Sequence, residues 1–382
     1  MKSVTLEAVI GNGGLIGDGD WIETSDQDPT GGIRLIQLAD IGDGVFLNKS
    51  ARYINSDTFV RLGCTALKAG DVLVARMPDP MGRTCVFPDL GQEAITAVDV
   101  CIIRPDPKVA DPSWLSYRLN SPSMRREIGR HAQGATRARV PTGKLRRIEL
   151  ELPSPERQQE VARVIKCKLD ETHLAREAAV LQFREISNLA GAIVIDTIRN
   201  TPTKPYLLGD VLEEVKQGIG ASWADHPVLG ATREGLAPAK EQPGKMAPKY
   251  KPVTPGTVFY NPMRILIGSI AFVDDDDAPG ITSPDYVALR GKPGLVDSRW
   301  FYHWLRSELG AQCILSLARG AVRERMLFNR LADGKIDLPS PEAQEKASRA
   351  LRELKPLQRA LKSKLAEIDL LPQKILAQAF EM

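Results

Sequence analysis

Leu152-Pro153-Ser154-Pro155-Glu156 is repeated as Leu338-Pro339-Ser340-Pro341-Glu342. The offset, 338 − 152 = 186 residues, is close to half of the 382-residue chain. Gln158 and Arg163 recur in the same register as Gln344 and Arg349. A fixed internal offset of this kind marks a duplicated structural unit. Each copy also spells the start of a helix. Ser154 or Ser340 is placed as N-cap and Pro155 or Pro341 as the first helical residue, where the missing N–H would be unpaired anyway. Glu156 or Glu342 then falls in the first turn, facing the positive end of the helix dipole.

Working outward, the first helix carries Ile165, Leu169, Thr172, Arg176, Ala179, Phe183, Ile186, Ala190, Ile193 and Thr197 in alternating steps of four and three. That is a heptad seam, and Asn200-Thr201-Pro202 closes it. In the second helix Leu351, Leu354, Leu357, Leu361, Leu365, Ile368, Leu371 and Ile375 repeat similarly, with Pro356 and Pro372 as expected kinks or breaks. Neither helix can bury its seam alone, so mutual packing is expected, with partner contacts on the outer faces.

Ahead of each helix lies a mixed segment. Strands are expected at Arg34–Leu38, Asp71–Ala75 and Ala97–Arg104, and again at Thr257–Tyr260, Ile265–Val273 and Val287–Leu289. A shorter helix follows in each half, Ser113–Arg130 and Ser298–Leu317, opened by Trp114-Leu115 and Trp300-Phe301 at equivalent places. The plan is globule, long helix, globule, long helix. Its boundaries are expected at 1–151, 152–200, 201–337 and 338–382.

No phosphate loop, zinc-binding H-E-x-x-H or G-x-S-x-G nucleophile elbow is present. Asn261-Pro262-Met263-Arg264 lacks the aromatic that stacks a flipped base in amino-methyltransferases. The acidic run Asp274–Asp277 reads as a solvated loop, and the five cysteines and four histidines are too scattered for an obvious metal site. No secretory signal or uncharged 20-residue apolar run is recognised, so a cytoplasmic protein without membrane contact is expected.

The net charge is only +3, but its distribution is uneven. The first sixty residues are acid-rich, whereas Arg118, Arg125, Arg126, Arg130, Arg137, Arg139, Lys144, Arg146 and Arg147 cluster. A second basic group, Arg319, Arg323, Arg325, Arg330 and Lys335, occupies the equivalent place in the second half, and Lys240, Lys245, Lys249 and Lys251 form a third. Duplicated basic patches suit two contacts with a phosphate backbone, the alternative being an ordinary solvated face.

At this point the sequence resembles the DNA specificity subunit (S subunit) of type I restriction–modification systems. The resemblance rests on Ala132–Arg137 followed by Ile148–Glu156 and Gln158-Gln159, on the second copy Ala318–Arg323 with Ile336–Glu342, and on Gly256–Tyr286. It departs from the family pattern at Gln158-Gln159, Gln344-Glu345, Gly134-Ala135-Thr136 and Gly320-Ala321-Val322.

The resemblance implies an α+β fold of two target-recognition domains separated by two long helices, which form an antiparallel coiled coil about a pseudo-twofold internal repeat. It implies a subunit without catalysis of its own. Each domain reads half of a bipartite site in double-stranded DNA, and the coiled coil sets the spacer and docks two modification subunits. S-adenosylmethionine belongs to those subunits, and ATP and Mg²⁺ to a restriction subunit where one is present. Residues expected to meet DNA are Arg76, Arg83, Arg137, Arg139 and Lys144 in the first half, and Asn261, Arg264, Arg319, Arg323 and Arg325 in the second. The rival readings are a self-contained methyltransferase or nuclease with divergent motifs, and a coiled-coil scaffold that never meets DNA.

Overall fold

The structure, a computed structural model, describes residues 2–381 except Asp79, Ala135, Thr136, Gln242, Lys245 and residues 319–324. The chain divides into two compact units, Met1–Glu177 with Leu365–Met382, and Ala178–Lys364. Each long helix therefore contributes to both units, the first nearly equally and the second mostly to the second unit.

In the first unit the strand order of the main antiparallel sheet is Leu15–Asp18, Val100–Arg104, Val72–Ala75, Thr84–Val86. Its central strand is buried on both faces. Val72 and Val74 join the cluster around Trp114, while Leu73 and Ala75 point into a second cluster with Cys85 and Ile102. This two-sided burial is why the strand reads as an uninterrupted apolar run. A second sheet, ordered Tyr53–Ile54, Ile33–Ile36, Ala94–Thr96, contains a parallel pair. The N-terminal strand Lys2–Thr5 pairs with Glu149–Leu152, immediately before the long helix.

The second unit repeats the main sheet as Leu212–Glu214, Val287–Gly291, Val258–Tyr260, Ile270–Phe272. Val72 and Val258 open equivalent strands, again 186 residues apart (258 − 72). Strand Thr203–Leu207 pairs with Lys335–Pro339, the counterpart of the N-terminal pairing. The copies diverge outside the main sheet. Between its first two strands in sequence the first unit has Ile33–Ile36 and Tyr53–Ile54, which join Ala94–Thr96 in the second sheet, whereas the second unit has Leu229–Thr232 with Gly235–Pro238, and Lys251–Val253, which pairs with Gly280–Thr282.

The long helices span Pro155–Arg199 and Pro341–Phe380. Ser154 and Ser340 cap them, accepting from the N–H of Arg157 at 3.4 Å and of Ala343 at 3.3 Å. Within each unit they run antiparallel. In the first, Arg176 pairs with Asp369 at 2.7 Å, and Ala162 shares a core with Phe380. In the second, Lys362 lies over the Phe183 ring, and Ala190 and Val194 pack with Leu351 and Leu354. The α+β fold with paired long helices is as expected from the sequence.

Several local expectations are corrected. The second long helix runs through Pro356 and Pro372 without a break, and its length is held by packing of Leu351, Leu354, Ile368 and Leu376. The expected single helices each divide in two. Pro122, lacking an N–H, starts Pro122–Arg130 after Pro112–Asn120. Ser307 caps Glu308–Leu317 after Ser298–Arg306. The apolar run from Ile265 is not one strand, because Gly268 takes a left-handed φ of 82° and leaves only Ile270–Phe272 in the sheet. One stretch of the first long helix is, by length and composition, apolar enough to cross a membrane, which the sequence reading did not anticipate. That stretch contributes Ala190 and Val194 to the core of the second unit.

The repeated glutamines explain the repeated motif. Gln158 is fully buried, accepts from the N–H of Asp111 at 2.8 Å and donates to the carbonyls of Val109 at 3.0 Å and Pro153 at 2.9 Å. Gln344 makes the same three bonds, from Asp297 at 2.9 Å and to Leu295 and Pro339 at 2.9 Å. Asp111 and Asp297 in turn cap the helices carrying Trp114 and Trp300, each accepting from the tryptophan N–H at 2.8 Å. One amide thus ties each long helix to its globule.

The acidic run is not a solvated loop. Asp276 and Asp277 pair with Lys355 and Arg359, and Asp274 and Asp275 with Arg299. Arg352, Lys355 and Arg359 share a helix face, which gathers the four carboxylates onto the second long helix. Lys355, hydrogen-bonded to Asp276, holds that carboxyl at a pKa of about 2, assisted by Arg359. Burial pushes the nearby His303 down to about 3, with Arg306 and Arg299 adding repulsion and Asp274 opposing it. Both groups bind protons less readily in the folded than in the unfolded chain, so acidification costs stability. The His303 contribution is present above pH about 6.5 and is lost as pH falls towards 3. That of Asp276 is present above about 3.8 and is lost towards 2. The Tm of the chain is expected to fall between pH 6.5 and 4.5, and His303→Gln to flatten that fall. An unchanged slope in the variant would assign the acid sensitivity elsewhere.

Candidate nucleic-acid interface

Two kinds of basic residue emerge in the first unit. Arg76, expected to meet DNA, is 2% exposed and is spent inside. It pairs with Asp18 at 2.8 Å, donates to Thr142 Oγ1 at 2.8 Å and bonds the Val98 carbonyl. It therefore forms a core-edge ion pair, with its side chain engaged inside the unit. Burial of its guanidinium lowers the pKa, and Asp18 opposes that shift. Arg83 is half-buried, with Nε on the Ile41 carbonyl at 2.5 Å and one terminal nitrogen on the Leu38 carbonyl at 2.8 Å, so it pins the 38–41 loop. Arg139 bonds the Val98 carbonyl and approaches Asp99 at 3.6 Å. These three arginines build the platform.

Arg137 and Lys144 differ. Both are exposed, and neither has an ion-pair partner among the described residues. Arg137 sits in the turn closed by the Gln133–Arg139 bridge, and Lys144 on the short helix Thr142–Leu145. Arg126 and Arg147, outside the expected set, are likewise exposed without a described partner. Membership of the basic cluster was their sequence signal. Others of that cluster are occupied, Arg125 by Asp43 and Arg146 by Glu7 at 2.7 Å.

In the second unit Asn261 is structural in its local bonding. Its Oδ1 accepts from the Met263 N–H at 2.9 Å, and its Nδ2 lies 3.5 Å from the Tyr286 hydroxyl. Arg264 is exposed at the tip of the same hairpin and pairs with no described carboxylate. Arg325 is exposed and paired with Asp285 at 3.0 Å. The backbone N–H of Met326 bonds the Pro262 carbonyl at 3.1 Å, which brings Arg325 beside the Arg264 hairpin. Arg319, Arg323 and Lys245 lie outside the described residues. Lys251 is partly buried and donates to the Tyr286 carbonyl at 2.6 Å, and burial lowers its pKa. Among the described residues no group of three or more His, Cys, Asp or Glu is arranged to hold a metal ion.

No family model and no curated protein matches the sequence. Solved structures do match. A chain of the structure described as "Structural basis underlying complex assembly and conformational transition of the type I R-M system" aligns over 99% of this chain and 97% of its own, at TM-score 0.67 and 17% identity. The HsdS subunit of Thermoanaerobacter tengcongensis aligns over 99% and 96%, at TM-score 0.50 and 17% identity. The architecture is that of type I restriction–modification S subunits, two globules and a pair of long helices, along essentially the whole chain.

Proposed function

We propose that this chain is the sequence-specific DNA-binding subunit of a type I restriction–modification complex, each unit reading one half of a bipartite site. The observation that carries this reading is the duplication itself. Two globules share one scaffold and one glutamine tie to a long helix, and they differ in the strands built outside the main sheet. A conserved frame with divergent insertions suits two related readers of two different sequences. Free cations on both units supply the phosphate contacts that position such a reader.

The long helices set the spacing and dock the modification subunits. In the first unit they expose Val164, Leu174, Leu370 and Leu371, and in the second Leu181, Leu189 and Leu357. Leu357 and Leu371, expected in the seam, lie on this outer surface. Exposed leucines on paired helices suit partner helices. The modification subunits bring S-adenosylmethionine, and a restriction subunit brings ATP and Mg²⁺. Such a complex works in the cytoplasm, in defence against foreign DNA.

Equilibrium binding of the complex assembled with its modification subunits tests this reading. Specific binding is expected to weaken steeply with salt. Arg137→Ala and Lys144→Ala are each expected to reduce the slope of log K against log salt by about 1, with similar loss on all sequences. An assembled complex that fails to bind any DNA would favour a scaffold instead.

A further inference from the structure

The hairpin loop from Asn261 to Ser269 has a feature that phosphate binding leaves unused. Leu266 and Ile267 stand about half exposed, at 50% and 51%, on a short turn of 3-10 helix whose first residue, Ile265, is buried. Exposed neighbouring aliphatics signal a contact surface when the backbone holds them out rigidly. Here the backbone is held at many points. The Ser269 N–H bonds the Arg264 carbonyl at 3.1 Å, the Gly268 N–H bonds that of Ile265 at 2.9 Å, and Gly268 takes the left-handed conformation. Arg233 Nε donates to the Ile267 carbonyl at 3.1 Å, and Arg306 to that of Gly268 at 3.2 Å. The loop is therefore presented with little ordering left to do on binding.

Its charge selects the partner. No acidic residue occurs between Asn261 and Phe272. Arg264, Arg233 and Arg306 pair with no carboxylate among the described residues. Two aliphatic side chains ringed by three uncompensated guanidinium groups are poorly suited to a neutral apolar protein surface. They suit a groove that is anionic at its rims and apolar at points on its floor. In the DNA major groove the apolar points are thymine methyl groups.

We infer that Leu266 and Ile267 are specificity-determining residues that read thymine methyl groups in the half-site bound by the second unit. The inference rests on the DNA-binding reading above and adds the base feature and the side chains. Arg264 positions the loop on phosphate while the aliphatic pair discriminates thymine from cytosine.

The test uses the complex assembled with its modification subunits and a duplex carrying its methylated motif. Each thymine of both half-sites is replaced singly by deoxyuridine, which lacks only the methyl group. At least one replacement is expected to weaken wild-type binding about fourfold, the worth of one buried carbon. The double variant L266A/I267A is expected to bind the thymine and uracil duplexes of one half-site equally, with Tm and salt slope unchanged. Ile267→Val, which keeps a branched side chain, is expected to retain the discrimination. Wild-type binding that is specific but indifferent to every replacement would overturn this inference alone. The same thymine preference persisting in the double variant would also overturn it. Absence of all DNA binding by the wild-type complex would overturn the DNA-binding reading with it.

Discussion

Gln344→Leu is expected to destabilise the second unit by about 3 kcal/mol or more, a large share of a typical domain's 5–15 kcal/mol. The side chain is fully buried, and leucine fills nearly the same space. What changes is hydrogen bonding. The Asp297 N–H and the carbonyls of Leu295 and Pro339 lose the Gln344 amide at once. An orphaned backbone group that stays buried, as at Pro339, costs roughly 1–3 kcal/mol, and loss of the charge-free amide tie adds to that. Loss of the Asp297 tie also loosens the cap above Trp300, which is fully buried at the centre of the core. Thermal unfolding together with hydrogen exchange checks this. Protection should drop over Asp297–Arg306 and the start of the second long helix. Gln158→Leu should do the same to the first unit, around Asp111 and Trp114. A Tm within about a degree of wild type, which for this chain length corresponds to well under 1 kcal/mol, would show that the glutamines are not the ties described.

Lengthening the helix pair is expected to have the largest effect on recognition. One heptad inserted in both helices, after Glu177 and after Lys364, keeps the apolar seams in register and adds about 10 Å. At 3.4 Å per base pair the unread spacer should grow by about three base pairs, and both half-site sequences should stay as they were. Four residues in the first helix alone, between Ala175 and Ala190, add about 6 Å, equivalent to one or two base pairs, but break the seam register as well. Methylation mapping reads the outcome directly. A motif whose half-sites change while its spacer does not would contradict the role of the helices as a ruler.

The duplication was legible because Leu-Pro-Ser-Pro-Glu solves one local problem, starting a helix after a strand, and so survives divergence. Gln158 and Gln344 were visible as a recurrence, but their role was not, since their partners Asp111 and Asp297 are some 47 residues away in sequence. Charge showed the basic clusters and could not show which members were already spent. Arg76 and Arg137 are the same residue type with opposite fates, decided by Asp18 and the Val98 carbonyl. The ion-pair network of Asp274–Asp277 carried a signal that was missed, the spacing of Arg352, Lys355 and Arg359 along one helix face. The apolar run after Arg264 passed for a strand because periodicity alone does not register a left-handed glycine. Among the segments that differ between the units, Ile33–Ile36 with Ala94–Thr96 and Lys251–Val253 with Gly280–Thr282 were hard to read because those pairings join strands far apart in sequence.

The central claim is that two related units on one chain each supply half of a DNA specificity. Genome-wide methylation mapping of a host carrying the modification subunits, with this gene present and then deleted, tests it most directly. A motif of two defined half-sites flanking an unread spacer, methylated only when the gene is present, is expected. A contiguous motif, or methylation unchanged by the deletion, would contradict it.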